Sequence, residues 1–388
     1  MRFDTPLDLT RMRRERHARL VEQMRAHDVD VLVGCSASTV AYATGAAIQA
    51  ADSSRAAHKR AVVVVTADGS PPTLYTPWPE GAPPELHPAF VRAPIDLEWH
   101  DDAAVLVCSL PAGRVAVDDC PMPLWAALRG RELTDGGSVV GAAKVVKTAD
   151  EIECIRRAQA INEAAIADVV SILRPGVCTT DLSGRLLRSM FELGASSNTV
   201  DPIFQVMERD PARRPASTTG DLVFPVPTRP RTLVEGDLIW VDNGINSCGY
   251  QSDYGNAWIV GREPNERERE HYAVWRALLD RVLAAVRAGA TCADLTAAAG
   301  EAFGRRPWLA HLYLAHGTGT ESAELPYVGT DLGAEFDASF VLAPGMVLVF
   351  EPITWEDGVG GFRAEEIVAV TADGHEVLSH VDASPWSG

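Results

Sequence analysis

Alternating apolar and polar positions predict a β-hairpin near the C-terminal end of the chain. From Val347 to Val370, an apolar run ends in Glu351-Pro352, a glycine-rich turn follows, and a second run carries Glu365 and Glu366. Alternation on both arms favours a hairpin that turns one face towards a core. Acidic side chains on a buried face are costly unless a cation neutralises them. The pattern therefore predicts a cation site at this hairpin.

A second hairpin pattern, Leu238 to Asp253, supplies further acidic candidates. An apolar strand ends in Asp242, a polar turn follows, and the return strand ends in Asp253. Farther along, His316 stands in the glycine-rich segment Ala315 to Gly319. Four carboxylates and one imidazole suit a pair of divalent first-row ions, because bridging carboxylates and water let two metals share few ligands. Four negative charges would also balance two such cations.

The order Asp, Asp, His, Glu, Glu resembles that of the metal ligands in the pita-bread metallopeptidases. This family includes methionine aminopeptidase, aminopeptidase P, prolidase and the non-peptidase creatinase. The local context agrees as well: His316 precedes Gly-x-Gly, Glu351 precedes a proline, and Gly360 to Glu365 reads Gly-Gly-x-Arg-x-Glu. The resemblance covers most of the chain.

The resemblance implies a dinuclear metal centre and a role for each ligand. Asp242 would chelate one ion and Asp253 would bridge the two. His316 would bind the other ion, and Glu351 and Glu365 would complete the site. The metals expected are Mn, Co, Fe or Zn, with Mn favoured. Glu351 is also the position that accepts the proton of the nucleophile in the family.

Two more residues of the second arm are expected to hold the metal ligands in place. Arg363 and Glu366 flank the last ligand along the chain. Sites of this kind usually need such outer partners, because a ligand's own hydrogen bonds set its orientation.

Mixed helical and strand patterns predict an α/β domain at the N-terminus, residues 1–143. Arg14 to Ala26 has helical spacing, and Ser38 to Gly45 resembles the stretch that opens the N-terminal domain of creatinase relatives. Helices mixed with short apolar strands are typical of layered α/β structure. The runs interpreted as short strands are Val29–Val33, Val62–Val65, Thr73–Tyr75, Ala104–Val107 and Val115–Val117.

The remaining residues, 144–388, are predicted to form the catalytic domain. Thr148 to Glu151 reads as a capping box that starts a long helix. Two segments, 173–182 and 286–295, repeat the same arginine, glycine, aspartate and leucine positions, and each lies between helices. We call them the first and second echo segments. They indicate two related α-α-β halves, the pseudo-twofold symmetry of the pita-bread fold, so the expected class of the whole chain is α+β.

Charge and composition limit the classes of binding partner and the cellular compartment that we expect for this protein. The net charge of −18 argues against nucleic acid or an anionic membrane as partner, since both need basic patches. The N-terminus has no apolar core of signal-peptide length, and no later run reaches membrane-spanning length. Seven scattered cysteines without a CxxC pair are typical of reduced thiols, so we expect a cytoplasmic protein. A homodimer and a small-molecule or short-peptide substrate are implied by resemblance.

The chain departs from the peptidases at two substrate-site histidines. Pro225 stands near the expected place of the first, and Ala323 takes the place of the second. Those histidines hold the scissile carbonyl and the tetrahedral intermediate, and acid–base help of this kind contributes roughly 10²–10⁴-fold. Substitutes near the metal-binding histidine would come from His311, Tyr313, Glu321 or Glu324. The candidate catalytic residues are Glu351, Glu324, His311 and Tyr313.

Another departure concerns the segment that follows the second aspartate. The family's Ser-Asp-x-Thr-Arg-Thr reads Ser252-Asp253-Tyr254-Gly255-Asn256-Ala257 here, so a supporting hydroxyl is lost.

Three functions remain open from the sequence. The first is a hydrolase of amide-type C–N bonds, acting on Xaa-Pro peptides or on a small amide or cyclic amidine, as creatinase and ectoine hydrolase do. The second is a lyase acting on a small zwitterion, which would need an extra acidic ligand where this chain has Asn243-Gly244. The third is a non-catalytic binding module, although such relatives have generally lost ligands that are all retained here.

Overall fold

The computed structural model describes residues 3, 5–47, 61–92, 100–207, 209, 228–303, 314–356, 358–380 and 384. The chain divides into two compact units, one spanning Leu7–Asp150 and the other Glu151–Gly388 with Met1–Pro6. The domain boundary expected at residues 143/144 stays a prediction.

The unit Leu7–Asp150 is built from helices that cover both faces of one sheet. Its helices are α1 Leu9–Ala26, α2 Ala37–Thr44, α3 His100–Ser109, α4 Met122–Ala127 and α5 Gly136–Val145. Its strands are β1 Val31–Gly34, β2 Val62–Thr66, β3 Thr73–Tyr75, β4 Val91–Arg92, β5 Val115–Asp118 and β6 Leu133–Asp135. The strand order is β4-β3-β2-β1-β5-β6, with β1 parallel to β5 and antiparallel to β2.

The central strand β1 shows why helices lie on both faces. Side chains of successive strand residues point to opposite faces. Leu32 belongs to a buried cluster with residues of α1, α2 and α5, whereas Val31 and Val33 belong to a cluster with α3 and α4. Strand β1 has no polar side chain and is therefore buried on both faces of the sheet.

The strand predicted at Ala104–Val107 is wrong, because these residues lie in α3. A short apolar run cannot be assigned by periodicity alone. Here Ala103, Leu106 and Leu110 are buried while Val105 is 58% exposed, which is the spacing of a helix with one face on the core.

The second unit contains the long helices and both predicted hairpins. Its helices are α6 Ala149–Val170, α7 Thr179–Leu193, α8 Glu266–Leu283, α9 Cys292–Phe303 and α10 Gly333–Ser339. Its strands are β7 Ser197–Val206, β8 Leu238–Ser247, β9 Tyr250–Gln251, β10 Tyr254–Ile259, β11 Ala315–Gly317, β12 Glu324–Val328, β13 Val347–Phe350, β14 Ile353–Glu356, β15 Gly360–Arg363, β16 Glu366–Val370 and β17 His375–Val377. They form the ladders β10-β8-β7 with β9, β12-β11-β13-β16-β17, and β14-β15.

The two echo segments occupy equivalent places in this unit. Gly176 has φ +89° and donates its N–H to the carbonyl of Leu233 at 2.8 Å. Gly289 has φ +83° and donates in the same way to Leu342 at 2.9 Å. Each glycine needs the left-handed region that other residues rarely adopt. The repeat predicted from the sequence is therefore present in the structure. Two helices followed by strands occur once in each half.

Helices α6 and α7 pack on the sheet of the first half. Their apolar faces form one buried cluster with Ile239, Val241 and Ile245 of β8. In the second half, Trp275 of α8 lies 5.0 Å from Phe362 of β15, ring centroid to centroid.

None of the helices within the described residues is long and apolar enough to cross a membrane.

Candidate metal centre

The first hairpin carries Asp242 in one arm and Asp253 in the other. β8 does not end at Asp242 as predicted but continues to Ser247, and the reversal falls at Cys248-Gly249. Asp242 therefore lies in mid-strand, opposite Gly255 of β10. Asp253 occupies the short break between β9 and β10, where a side chain escapes the strict alternation of a strand.

The second hairpin is confirmed, and its two arms break at the glutamates. Phe350 pairs with Glu366, and Ile353 pairs with Arg363 beyond the break. Glu351 lies in the break of the first arm and Glu365 in the break of the second. The interruptions face each other, so both carboxylates leave the ladder at the same level.

His316 lies on β11, between β12 and β13. Its Nδ1 is 2.9 Å from the carbonyl oxygen of Gly317. Since a carbonyl oxygen can only accept, Nδ1 carries the proton in that contact. Nε2 faces the acidic groups, 3.2 Å from Oε1 of Glu351 and 3.6 Å from Oδ2 of Asp253.

These contacts gather the five sequence-predicted ligands into one cluster. Asp242, Asp253 and Glu365 each place a carboxylate oxygen within 4.8 Å of the others. Arg363 joins them to the remaining glutamate, because its Nη1 donates to Oδ2 of Asp242 at 2.9 Å and its Nη2 donates to Oε2 of Glu351.

Burial perturbs the ionisation of the cluster. It is the main cause that raises the pKa of Asp253 to about 7 and that of Glu365 well above its usual range, and neighbouring carboxylates add to both shifts. Burial opposes ionisation of Glu351 too, but Arg363 and His316 outweigh it and lower that pKa. Burial also disfavours the charged form of His316, yet Glu351 and Asp253 raise its pKa to about 9. Four carboxylates thus share two cationic groups.

Glu365 is the residue whose surroundings best fit a bound cation. Its side chain is 1% exposed, and neither carboxylate oxygen has a hydrogen-bond donor among the described residues. Nη2 of Arg363 lies 2.9 Å from Oε1, close enough for an ion pair but outside hydrogen-bond geometry. Buried carboxylates normally have partners. Oxygen donors with one imidazole suit divalent metal ions, so the residues fit the group that the sequence predicts.

Of the other predicted catalytic residues, only Glu324 lies in the part of the chain that the structure describes. His311, Tyr313 and Pro225 lie outside the described residues. Glu324 is buried at the start of β12, and its Oε1 accepts from Thr320 N and Oγ1 at 2.9 Å and from Glu321 N at 3.1 Å. These bonds stabilise the turn after the metal-site histidine, and a catalytic role for Glu324 stays a prediction.

Glu366 contacts helix α8, and its expected role in holding the metal ligands stays a prediction. Its Oε2 accepts from Nη1 of Arg276 on α8 at 3.0 Å.

Asn162 supports the site but was not predicted from the sequence. It is a fully buried residue of α6, and its Nδ2 donates to Ser252 Oγ at 3.0 Å and to the carbonyl of Asn243 at 3.4 Å. An amide on the apolar face of a helix was the available signal.

The family model of the M24 metallopeptidases matches residues 153–372, more than half of the chain. The chain belongs to metallopeptidase family M24. The matched range contains both hairpins, the histidine strand and the helices behind them. M24 enzymes are metal-dependent, and the acidic group described above could hold such an ion.

Individual M24 relatives are similar at moderate identity. The Xaa-Pro dipeptidase of Pyrococcus furiosus is 27% identical over 247 residues, 63% of this chain and 66% of that protein. The peptidase YqhT of Bacillus subtilis, described as uncharacterized, is 26% identical over 66% of this chain and 68% of its own length. The chain thus spans about two thirds of the length of these curated relatives.

Solved structures extend the likeness over nearly the whole chain. An Xaa-Pro dipeptidase from Bacillus anthracis superposes with a TM-score of 0.77 at 22% identity, covering 96% of this chain and 99% of that one. A prolidase from Pyrococcus horikoshii gives 0.76 at 21% identity, with the same coverage of both chains. The α+β pita-bread fold with its N-terminal α/β domain, expected from the sequence, is therefore confirmed.

Proposed function

We propose that this M24 protein is a dinuclear-metal hydrolase of amide-type C–N bonds that acts on Xaa-Pro peptides. The observation that carries the proposal is the convergence of five potential ligands with more negative than positive charge. The ligands would be Asp242, Asp253, His316, Glu351 and Glu365. A bound metal pair would supply a water of lowered pKa and would polarise the substrate carbonyl.

The residues of the chain prepare this site in three ways. Gly317 holds Nδ1 of His316, which leaves Nε2 as the ligand atom. Arg363 orients Asp242 and Glu351 and offsets part of their charge. Glu351, whose pKa is lowered, stays ionised at neutral pH and is the group proposed to accept a proton from the attacking water.

The names of the relatives support a substrate class. The relatives named Xaa-Pro dipeptidase and prolidase support a short peptide as substrate. We further propose Mn²⁺ as the working metal, a homodimer as the working form and the cytoplasm as the compartment. Nothing in the charge pattern favours a nucleic acid or membrane partner.

A second candidate function is hydrolysis of a small zwitterion or cyclic amidine. The observation that favours it is Ala323, which stands where peptidases of this type are expected to carry a histidine and is exposed just before β12. A substrate without a peptide chain would not need that contact.

The test is hydrolysis of a panel of Xaa-Pro dipeptides and tripeptides by Mn²⁺-loaded protein, with metal content measured on the same sample. Asp253→Asn should abolish turnover, because it removes the proposed bridging carboxylate without changing the shape of the side chain. Asp373→Asn, in an exposed turn, is the matched control and should retain turnover.

Two outcomes would contradict the proposal. Protein that holds two metals but cleaves no peptide would overturn the Xaa-Pro specificity and direct the search to cyclic amides and amidines. Protein that binds no divalent metal would overturn catalysis and favour a binding module.

A further inference from the structure

A small cavity lies beside Glu365, where helix α6 approaches strand β10. It is lined by Gln159 and Glu163 of α6, by residues 254–256 of β10, and by Glu365 and Ser379. The cavity volume is about 10 Å³, close to the room that one water-sized ligand needs. The cavity therefore suits a single small ligand.

Gln159 presents an oxygen atom that needs a partner. Its Nε2 donates to Oε1 of Glu163 at 3.1 Å. Because an ionised carboxylate only accepts, this bond fixes which end of the amide faces Glu163. The other end, Oε1, is buried and has no hydrogen-bond donor among the described residues, and Gln159 as a whole is 1% exposed. Buried amide oxygens normally have a partner, so the cavity calls for a ligand that donates or carries positive charge.

The charge of the cavity wall favours a cation over a neutral ligand. Glu163 is buried, and its Oε1 also accepts from the N–H of His380 at 2.8 Å. Glu365 has no hydrogen-bond donor in the part of the chain that the structure describes. The described lining residues include no lysine, arginine or histidine. Arg363 contacts Glu365 without lining the cavity, and it shares its charge with two further carboxylates. Buried carboxylates of this kind are costly without compensating charge.

The size of the cavity decides the class of cation. Mg²⁺ usually keeps several waters, which a single water-sized space cannot hold. K⁺ and ammonium are each about as large as a water molecule and take oxygen ligands. We propose that the cavity binds one monovalent cation of this size through Gln159 Oε1 and the carboxylates of Glu163 and Glu365. Ser379 Oγ, which accepts from the N–H of Ile367 at 3.2 Å, keeps a second lone pair for the same ion.

This monovalent site would lie behind one of the candidate ligands of the divalent centre. A carboxylate oxygen of Glu365 is already grouped with Asp242 and Asp253. The second oxygen would bind the monovalent cation, which would tie Glu365 to helix α6. Gly255 leaves room for this arrangement, since a Cβ atom there would stand 2.3 Å from Oε1 of Glu365. The inference does not depend on peptidase activity, because it concerns cation binding alone.

The test is urea unfolding of the EDTA-treated full-length protein in KCl and in tetramethylammonium chloride of equal concentration. Tetramethylammonium gives the same ionic strength but is too large for the cavity. The ratio of folded to unfolded protein should rise with K⁺, by about 100-fold at 100 times the Kd, and should not rise in this way with tetramethylammonium. Equal unfolding in the two salts would overturn the proposal.

Two matched substitutions locate the effect of K⁺. Gln159→Met removes the cavity oxygen at similar side-chain length and should abolish the K⁺ effect. Gln23→Met, on α1, changes a residue that does not line the cavity and should retain it. Asp253→Asn should retain it too, since Asp253 does not line the cavity. Loss of the effect in Asp253→Asn with retention in Gln159→Met would place K⁺ in the divalent centre and contradict the proposal.

A measurement on the unaltered protein guards against a variant that fails to fold. Tl⁺ substitutes for K⁺ at oxygen sites, so thallium NMR should show a bound signal. Added K⁺ should displace that signal and tetramethylammonium should not. Protein that gives only the signal of free Tl⁺ would show that the cavity takes no monovalent cation.

Discussion

At the residue scale, the candidate metal centre is a buried group of four carboxylates that two cationic groups, Arg363 and His316, only partly offset. The types and order of the five candidate ligands were predictable, because each stands in a short motif of the sequence. The bonds of Arg363 to Asp242 and Glu351 were not, since they join positions more than a hundred residues apart or across a hairpin. The lack of a donor at Glu365 was likewise visible only in three dimensions.

Gly255 decides where the Glu365 carboxylate can lie. A Cβ atom built on Gly255 would stand 2.3 Å from Oε1 of Glu365, far inside contact distance. Gly255→Ala should therefore displace the carboxylate and weaken Mn²⁺ binding by about 10- to 100-fold, the range for changes that disturb the support of a ligand. Isothermal titration calorimetry measures this directly.

The matched control for Gly255 is Gly184, which lies inside α7. A Cβ atom there meets nothing within 4 Å. Gly184→Ala should leave Mn²⁺ affinity unchanged and should stabilise the protein by about 0.5–1 kcal/mol, because alanine loses less backbone entropy in a helix. Equal Mn²⁺ affinities of the two variants would show that Glu365 does not need the space at Gly255.

At the element scale, helix α6 supports the hairpin that carries both aspartates. The long helix and its start after Thr148 were predictable from apolar spacing and the capping box. The hydrogen bonds that Asn162 of α6 donates to the hairpin were not predictable, because the sequence does not show which strand a buried amide will contact. The same limit explains the error at Ala104–Val107, where the run was too short to separate a helix from a strand.

Removal of the Asn162 side chain should lower the stability of the protein. Asn162→Ala removes the amide that donates to the hydroxyl of Ser252 and to the carbonyl of Asn243, although the N–H of Ile245 still donates to that hydroxyl at 3.2 Å. The free energy of unfolding should fall by about 1–3 kcal/mol, because two buried hydrogen bonds worth about 0.5–1.5 kcal/mol each are lost. Urea unfolding measures it.

An exposed asparagine provides the comparison for Asn162. Asn198 lies on β7 with its side chain exposed, and Asn198→Ala should stay within about 0.5 kcal/mol of the unaltered protein. If both variants lost the same stability, the bonds of Asn162 would not be the cause.

At the scale of the whole molecule, the buried cluster couples stability to pH and to metal. Burial raises the pKa of Asp253 to about 7 in the metal-free protein, against about 3.9 in an unfolded chain. The stability that its proton provides is thus complete below about pH 4 and is lost as pH rises through 7. Metal binding needs the ionised carboxylate, so it should strengthen over the same range.

The expected result is a free energy of unfolding that decreases from pH 5 to pH 8 after EDTA treatment. The stabilisation by added Mn²⁺ should grow over that range, reaching about 2.7 kcal/mol where Mn²⁺ is at 100 times its Kd. Urea unfolding at each pH provides the measurement. Asp253→Asn should flatten the slope and Asp373→Asn should not; a Mn²⁺ effect independent of pH would contradict the coupling.

The sequence by itself determined the two hairpins, the repeated α-α-β halves and the identity of the candidate ligands. These depend on local periodicity and short motifs, which each segment carries within itself. Only the tertiary structure decided that β8 continues beyond Asp242 and that Arg363 bridges carboxylates of both hairpins. Such contacts join distant segments, and their free energies depend on burial and distance, which the order of residues does not contain.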